Sequence, residues 1–124
     1  MPRVSLTNKT NGKLPRLPFL MLTRRVLGST YELSVAFISD GESRRINKAL
    51  RGKNKPGNVL SFPFSKTSGE ILIAPSHAKK EASLYGHTYR KHLAYLFIHG
   101  LLHLKGLPHG ATMEAEEKRL LKLL

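Results

Sequence analysis

The sequence of 124 residues contains no cysteine. Disulfide bonds, thiolate metal sites and a cysteine nucleophile are therefore excluded, and any bound metal must be held by His, Asp or Glu. The sequence also lacks Trp, and aromatic residues make up only 7% of it. Extensive stacking of nucleic-acid bases on aromatic rings is therefore not expected.

Acidic residues are scarce, with 8 Asp and Glu against 21 Lys and Arg, and the formal net charge is +13. Such an excess predicts a polyanionic partner. RNA, DNA or an anionic membrane would serve, because each Lys or Arg placed on a phosphate releases condensed counterions. The alternative is a basic surface that only keeps the protein in solution.

Long hydrophobic runs are absent as well. The two most apolar stretches, residues 17–22 and 93–104, are shorter than the roughly 20 residues that a membrane span needs. The first contains Pro18 and is followed by Arg24 and Arg25 without a small-residue cleavage site. We therefore expect no signal peptide, no membrane contact and a soluble, cytoplasmic protein.

Residues 1–124 contain no repeat and no long linker, which predicts one domain. Strands are predicted at residues 4–6, 31–39, 59–62 and 70–74, with a loop at 63–69. Helices are predicted at residues 18–28, at 41–50 after an Asp40 cap, at 75–85, at 89–105 after a Thr88 cap, and from a Thr112 cap onward. This order of elements predicts an α/β or α+β fold with the long helix at the centre of its core.

Two helices carry further expectations. Ile46 and Leu50 share one face of the second helix and give it an apolar side. Glu114, Glu116 and Glu117 are expected in the first turn of the last helix, where negative charge interacts favourably with the helix dipole.

The most informative segment holds His99, His103 and His109 in the pattern HxxxHxxGxxH. Residues four apart on a helix share one face, so the first two imidazoles can converge on one ion. Gly106 can end the helix in a left-handed conformation and return the chain with a third ligand. Three imidazoles leave a coordination position open, as in a catalytic metal site. The other three histidines, His77, His87 and His92, have no such spacing and are expected at the surface or in packing.

The same spacing occurs in metzincin zinc proteases, but Gly100 stands where their catalytic glutamate would be. In those enzymes this carboxylate takes a proton from the metal-bound water, so a peptidase is disfavoured. A metal can still lower the pKa of water, and an arginine could stabilise the charge that develops on a phosphate.

A second segment, NKALRGKNKPGNVLSFP at residues 47–63, joins a helix end to a strand. From the local sequence alone, Arg51 is explained slightly better as a cation that stabilises the helix end. The segment nevertheless resembles the "LN..YR..d.PTDVLSFP" block of the YbeY family of rRNA maturation ribonucleases. The triplet GEI at 69–71 resembles that family's "GDI", and HGLLHLKGLPH at 99–109 resembles its "HGxLHLxGxxH". The three blocks occur in the family's order.

The resemblance implies a metal-dependent, single-strand-specific endoribonuclease that acts in 16S rRNA 3′-end maturation and ribosome quality control. It implies that His99, His103 and His109 hold the metal, usually taken as zinc, and that Arg51 is needed for activity. It further implies a small α/β fold with a mixed four-stranded sheet and a metal cleft beside the long helix. Imidazole ligands also suit nickel, copper or iron.

This sequence departs from the family pattern at two places. Gly57-Asn58 replaces the usual Thr-Asp, and Pro108 replaces an Asp before the third histidine. Both changes remove carboxylates near the site, which could lower metal affinity or rate.

Two other functions compete with the nuclease. One is a ribosome assembly or RNA-binding factor with a structural metal and little or no hydrolysis, and the other is a metalloprotease. RNA contacts are expected in outline at Arg44, Arg45, Lys53 and Lys55, extended by Lys79, Lys80, Arg90 and Lys91. For each of these residues a solvated surface charge is an equally good explanation.

Overall fold

The computed structural model describes residues 1–52 and 59–124. Its strands are β1 (Arg3–Asn8), β2 (Glu32–Phe37), β3 (Val59–Ser65) and β4 (Ser68–Ile73). Its helices are α1 (Phe19–Leu27), α2 (Asp40–Arg51), α3 (Pro75–Glu81), α4 (Tyr89–Lys105) and α5 (Ala111–Leu121), and a 3₁₀ turn covers Ala82–Tyr85. Within these residues no helix is long and apolar enough to cross a membrane.

The four strands form one mixed sheet in the order β1-β2-β4-β3. β1 and β4 both run parallel to β2, whereas β3 runs antiparallel to β4. The mixed four-stranded sheet is therefore confirmed, and the small domain is of the α+β class.

The prediction of a loop at residues 63–69 is wrong. Strands β3 and β4 extend through most of this segment and leave a tight turn at residues 66–67. Pro63 is tolerated because β3 is an edge strand, and the register shifts between Pro63 and Ser65. Gly69 is required inside β4, since a Cβ atom there would lie 2.6 Å from the hydroxyl of Tyr31.

Helix α4 forms the centre of the core, as predicted. It packs against β3, β4, α1, α3 and α5 and buries Leu93, Leu96, Phe97 and Leu101. The ring of Phe97 meets that of Phe19 edge-on, with 4.9 Å between centroids. The Thr88 hydroxyl caps the helix by accepting from the backbone N–H of Lys91.

The predictions for α2 need two corrections. The N-cap is Ser39 rather than Asp40, because the Ser39 hydroxyl accepts from the backbone N–H of Glu42 at 3.1 Å. Leu50 is 62% exposed, and the buried residues of the helix are Ser43 and Asn47. An apolar periodicity could not reveal a buried face made of polar residues.

Helix α5 begins at Ala111, after Gly110, and not after a Thr112 cap. Gly110 has a φ of +148°, a conformation that favours glycine at the turn into the helix. Of the three glutamates expected in the first turn, Glu114 lies there, whereas Glu116 and Glu117 follow it. Glu117 is buried, because it shares a face with Met113 and Leu120.

Candidate metal centre

Helix α4 brings two of the three predicted ligands together, and the turn after it adds the third. His99 and His103 lie one turn apart, with ring centroids separated by 4.5 Å. Gly106 ends the helix with a φ of +100°, in the left-handed conformation expected of it. The returning chain places the ring of His109 at 5.1 Å from His99 and 4.5 Å from His103.

The geometry of the three imidazoles fits one metal ion. One nitrogen from each ring lies within 4.8 Å of the others, and the Nε2 atoms of His99 and His103 are 2.9 Å apart. Tetrahedral zinc with bonds of roughly 2.0–2.1 Å separates its ligand atoms by roughly 3.3 Å, so small rotations of the rings would suffice. The group could therefore hold a metal ion.

Glu117 of α5 fixes the orientation of His99. Its Oε2 lies 2.6 Å from Nδ1 of His99, and because an ionised carboxylate can only accept, Nδ1 carries the proton. The Nε2 atom of His99 then keeps its lone pair on the side of the other imidazoles. Glu117 is not among the residues predicted for the site, although its spacing from the apolar Met113 and Leu120 on α5 indicates that it faces inward.

Burial, the neighbouring His99 and His109, and the charge of Arg51 together lower the pKa of His103 to about 4. His103 is therefore neutral near pH 7, with a lone pair free for a metal. Arg51 is the last residue of α2 and is exposed. Because its charge acts on His103, it lies within electrostatic reach of the three-histidine group.

Packing explains why glycine follows His99. A Cβ atom at Gly100 would lie 3.1 Å from the side chains of both Ile71 and Val59, and the backbone carbonyl of Gly100 accepts from the Ser61 hydroxyl at 3.1 Å. A glutamate at this position would push α4 away from β3 and β4. The metalloprotease alternative therefore lacks its general base for a structural reason.

The remaining histidines differ in their surroundings. His92 is fully buried, with its Nε2 2.8 Å from Glu81 Oε2 and its Nδ1 3.1 Å from Nδ1 of His87. His87 and His77 are half-buried. The pair His87 and His92 lies beside Tyr95, whose ring centroid is 6.2 Å from that of His99. His92, Tyr95 and His99 share a face of α4 by their spacing, whereas the contact of His87 with this face depends on how the chain enters the helix.

The predicted RNA-contacting residues are only partly described. Arg44 and Arg45 are exposed on α2, and Arg45 lies 3.8 Å from Glu42. Lys53 and Lys55 lie outside the described residues, as do Gly57 and Asn58. Lys80 forms an ion pair with Asp40, Arg90 donates to the backbone carbonyl of Arg16, and Lys79 lies over the ring of Tyr89.

A comparison with known families matches residues 14–123 to the model described as Endoribonuclease YbeY. Among curated proteins, Endoribonuclease YbeY of Halalkalibacterium halodurans is 35% identical over 107 residues, 73% of this chain and 66% of that protein. Endoribonuclease YbeY of Francisella philomiragia is 40% identical over 106 residues, 77% of this chain and 67% of that protein. The chain thus spans about two thirds of the length of these relatives.

A solved structure has a similar fold. The solution structure of TM1509 from Thermotoga maritima matches with a TM-score of 0.65 and 25% identity, over 98% of this chain and 87% of that one.

Proposed function

The chain belongs to the YbeY family of endoribonucleases, and we propose that it cuts single-stranded RNA with a metal held by His99, His103 and His109. The observation that carries this proposal is the three-histidine group, whose nitrogens lie within 4.8 Å of one another. Within the cell, we propose that it acts in the cytoplasm on the ribosome, in 16S rRNA 3′-end maturation and quality control.

Contacts within the protein orient the proposed metal ligands. Glu117 keeps the proton of His99 on Nδ1, and Gly106 lets the chain return with His109. When bound, a divalent ion here would supply a Lewis acid for a phosphate oxygen and lower the pKa of a water molecule. Three neutral nitrogen ligands leave a position open for substrate, and zinc is the ion we propose.

Arg51 is the residue that we propose stabilises charge on the reacting phosphate. Its guanidinium is exposed and acts electrostatically on His103. A planar guanidinium can donate to two phosphate oxygens at once, and it stays charged at every relevant pH. The planar guanidinium of Arg51 can therefore bind a phosphate group more tightly as negative charge develops on its oxygens.

The charge of the molecule supports an RNA substrate. A net charge of +13 attracts a polyanion, and Arg44 and Arg45 are exposed on the same helix that ends at Arg51. We propose that these arginines bind the RNA backbone, together with Lys53 and Lys55. Such contacts carry little base specificity, so RNA structure and the ribosome would determine which bond is cut.

The test compares cleavage of labelled single-stranded RNA by the wild type, His103→Ala and Arg51→Ala, with a perfectly paired duplex as second substrate. The matched control is Arg25→Ala, which also removes an exposed arginine from the last turn of a helix. We expect wild type and Arg25→Ala to cut the single strand and the other two variants to fail. RNA binding without cleavage by the wild type would instead support the assembly-factor alternative.

A further inference from the structure

Four rings form a cluster beside the metal centre: Tyr85, His87, His92 and Tyr95, named here the ring cluster. The centroid of Tyr85 lies 4.7 Å from that of His92 and 5.7 Å from that of Tyr95. Tyr95 in turn lies 6.2 Å from His99. Two of the four tyrosines in the chain thus belong to the ring cluster, and Tyr95 connects it to a proposed ligand, although aromatics are scarce overall.

A buried polar pair holds the ring cluster in place. Because the Glu81 carboxylate accepts, Nε2 of His92 carries the proton, and Nδ1 of His92 accepts from Nδ1–H of His87. His92 is fully buried, so this chain of hydrogen bonds is protected from water. The cluster therefore needs no ligand to set the orientation of His87.

The outer side of the ring cluster is open. Tyr85 is 49% exposed although its ring contacts three others, and its neighbour Leu84 is 83% exposed. Lys91 lies in the first turn of α4, next to His92 in the sequence, and is exposed. Burial, then His92, then the charge of Lys91 lower the pKa of His87, in agreement with this position. An exposed ring and a nearby cation are the two parts of a single-strand binding site, one for a base and one for a phosphate.

We propose that the ring cluster is a nucleobase-binding subsite, in which one unpaired base of the substrate stacks on Tyr85 and Lys91 contacts the adjacent phosphate. This inference rests on the proposed function and adds a position at which the RNA is held. Because Tyr95 of the ring cluster lies 6.2 Å from His99, a base stacked on the cluster is held on the side of α4 that carries the proposed metal ligands. A base inside a duplex has both faces covered, so the subsite favours single strands.

The first experiment is a binding titration of metal-free protein, which is expected not to cut, with a set of short fluorescent single-stranded RNAs. Each RNA carries one abasic nucleotide at a different position, and gel analysis verifies that it is intact after the titration. In the wild type, we expect one position at which loss of the base weakens binding about 5- to 30-fold, the range for about 1–2 kcal/mol.

Variants at Tyr85 then identify the ring that holds this base. In Tyr85→Ala, binding of the intact RNA should fall by the same factor, and the abasic RNA should bind no worse than the intact one. Tyr85→Trp should restore the wild-type pattern, because indole provides a larger face. Leu84→Ala is the matched control, since it removes an exposed apolar side chain beside the ring, and it should behave as the wild type.

The outcomes separate this subsite from the nuclease itself. The subsite proposal would be overturned if removal of a base weakens binding equally in the wild type and Tyr85→Ala, or if no single base matters for binding to the wild type. Either result would count against the subsite even if cleavage is normal. If the wild type fails to cut RNA but shows the sensitive position and loses it in Tyr85→Ala, the subsite stands and the proposed activity fails.

Discussion

Oε2 of Glu117 on α5 accepts a hydrogen bond from Nδ1 of His99 on α4 at 2.6 Å. The carboxylate is buried, so this contact joins the last helix of the described chain to the three-histidine group. A carboxylate that binds the far nitrogen of a metal ligand fixes its tautomer and raises its basicity. The last helix is therefore part of the proposed metal centre although it contributes no ligand.

Loss of Glu117 should weaken metal binding. We expect Glu117→Ala to bind zinc about 10- to 100-fold more weakly, the usual cost of removing a carboxylate behind a metal-bound histidine. Glu117→Gln should lose less, because its amide oxygen can still accept from Nδ1–H. Titration against a competing chelator measures this, with the exposed Glu114→Gln as control. Equal affinity in Glu117→Ala and the wild type would contradict the positioning role.

Glycine at position 100 is a packing requirement. We expect Gly100→Glu to destabilise the fold by about 3 kcal/mol or more, because it places an unpaired carboxylate against Ile71 and Val59. Gly41→Glu makes the same change on α2, where the nearest atom to a Cβ lies 4.0 Å away, and should cost nothing. Urea unfolding compares the two variants. A stable Gly100→Glu protein would show that α4 has room at this position.

Arg51 should contribute to the rate and not to metal binding. We expect Arg51→Ala to lose about 2.7–4 kcal/mol of transition-state stabilisation, the cost of removing one preorganised charge-stabilising group, with bound metal unchanged. Arg51→Lys should recover part of this loss, since an ammonium keeps the charge but not the planar fork. Single-turnover cleavage and metal content are measured on the same preparations.

If Arg51 only stabilises the end of α2, its removal would have a different result. Arg51→Ala would then lower stability by a few tenths to about 1 kcal/mol and leave single-turnover cleavage intact. Arg25→Ala reports the ordinary cost of losing an arginine at a helix end. Full activity in Arg51→Ala would remove this residue from the mechanism.

RNA affinity should depend strongly on salt. For a single strand, the logarithm of the binding constant falls by roughly 0.7 per phosphate contact for each tenfold rise in salt. Contacts from Arg44, Arg45 and Arg51 predict a slope of roughly −2 or steeper. Arg44→Ala should make the slope shallower by about 0.7, whereas a nearly flat dependence in the wild type would show that the basic surface does not bind phosphate.

The histidine group was predictable from sequence because its geometry is local. A helix aligns His99 with His103, and a left-handed glycine returns the chain to bring His109 close, so spacing alone contains the information. The contact of Glu117 with His99 depends on how α5 packs against α4, and no local pattern encodes it.

The same distinction explains the other differences between prediction and structure. The strands and the long helix could be predicted from apolar patterns. The buried face of α2 is polar, so an apolar pattern could not predict it. The ring cluster was not predicted, because the aromatic content of a sequence does not show which rings meet in the fold. Tyr85 and Tyr95 meet only because the 3₁₀ turn lies against α4.

The most direct test of the account is a titration of zinc into metal-free protein, with the rate of single-stranded RNA cleavage measured at each addition. In the wild type, the cleavage rate should rise linearly with added zinc and reach a plateau at one equivalent of zinc per protein. His99→Ala, His103→Ala and His109→Ala should bind much less zinc and stay inactive, while His77→Ala, on α3, should follow the wild type. Cleavage that does not depend on zinc, or unchanged zinc binding in these three variants, would contradict the account.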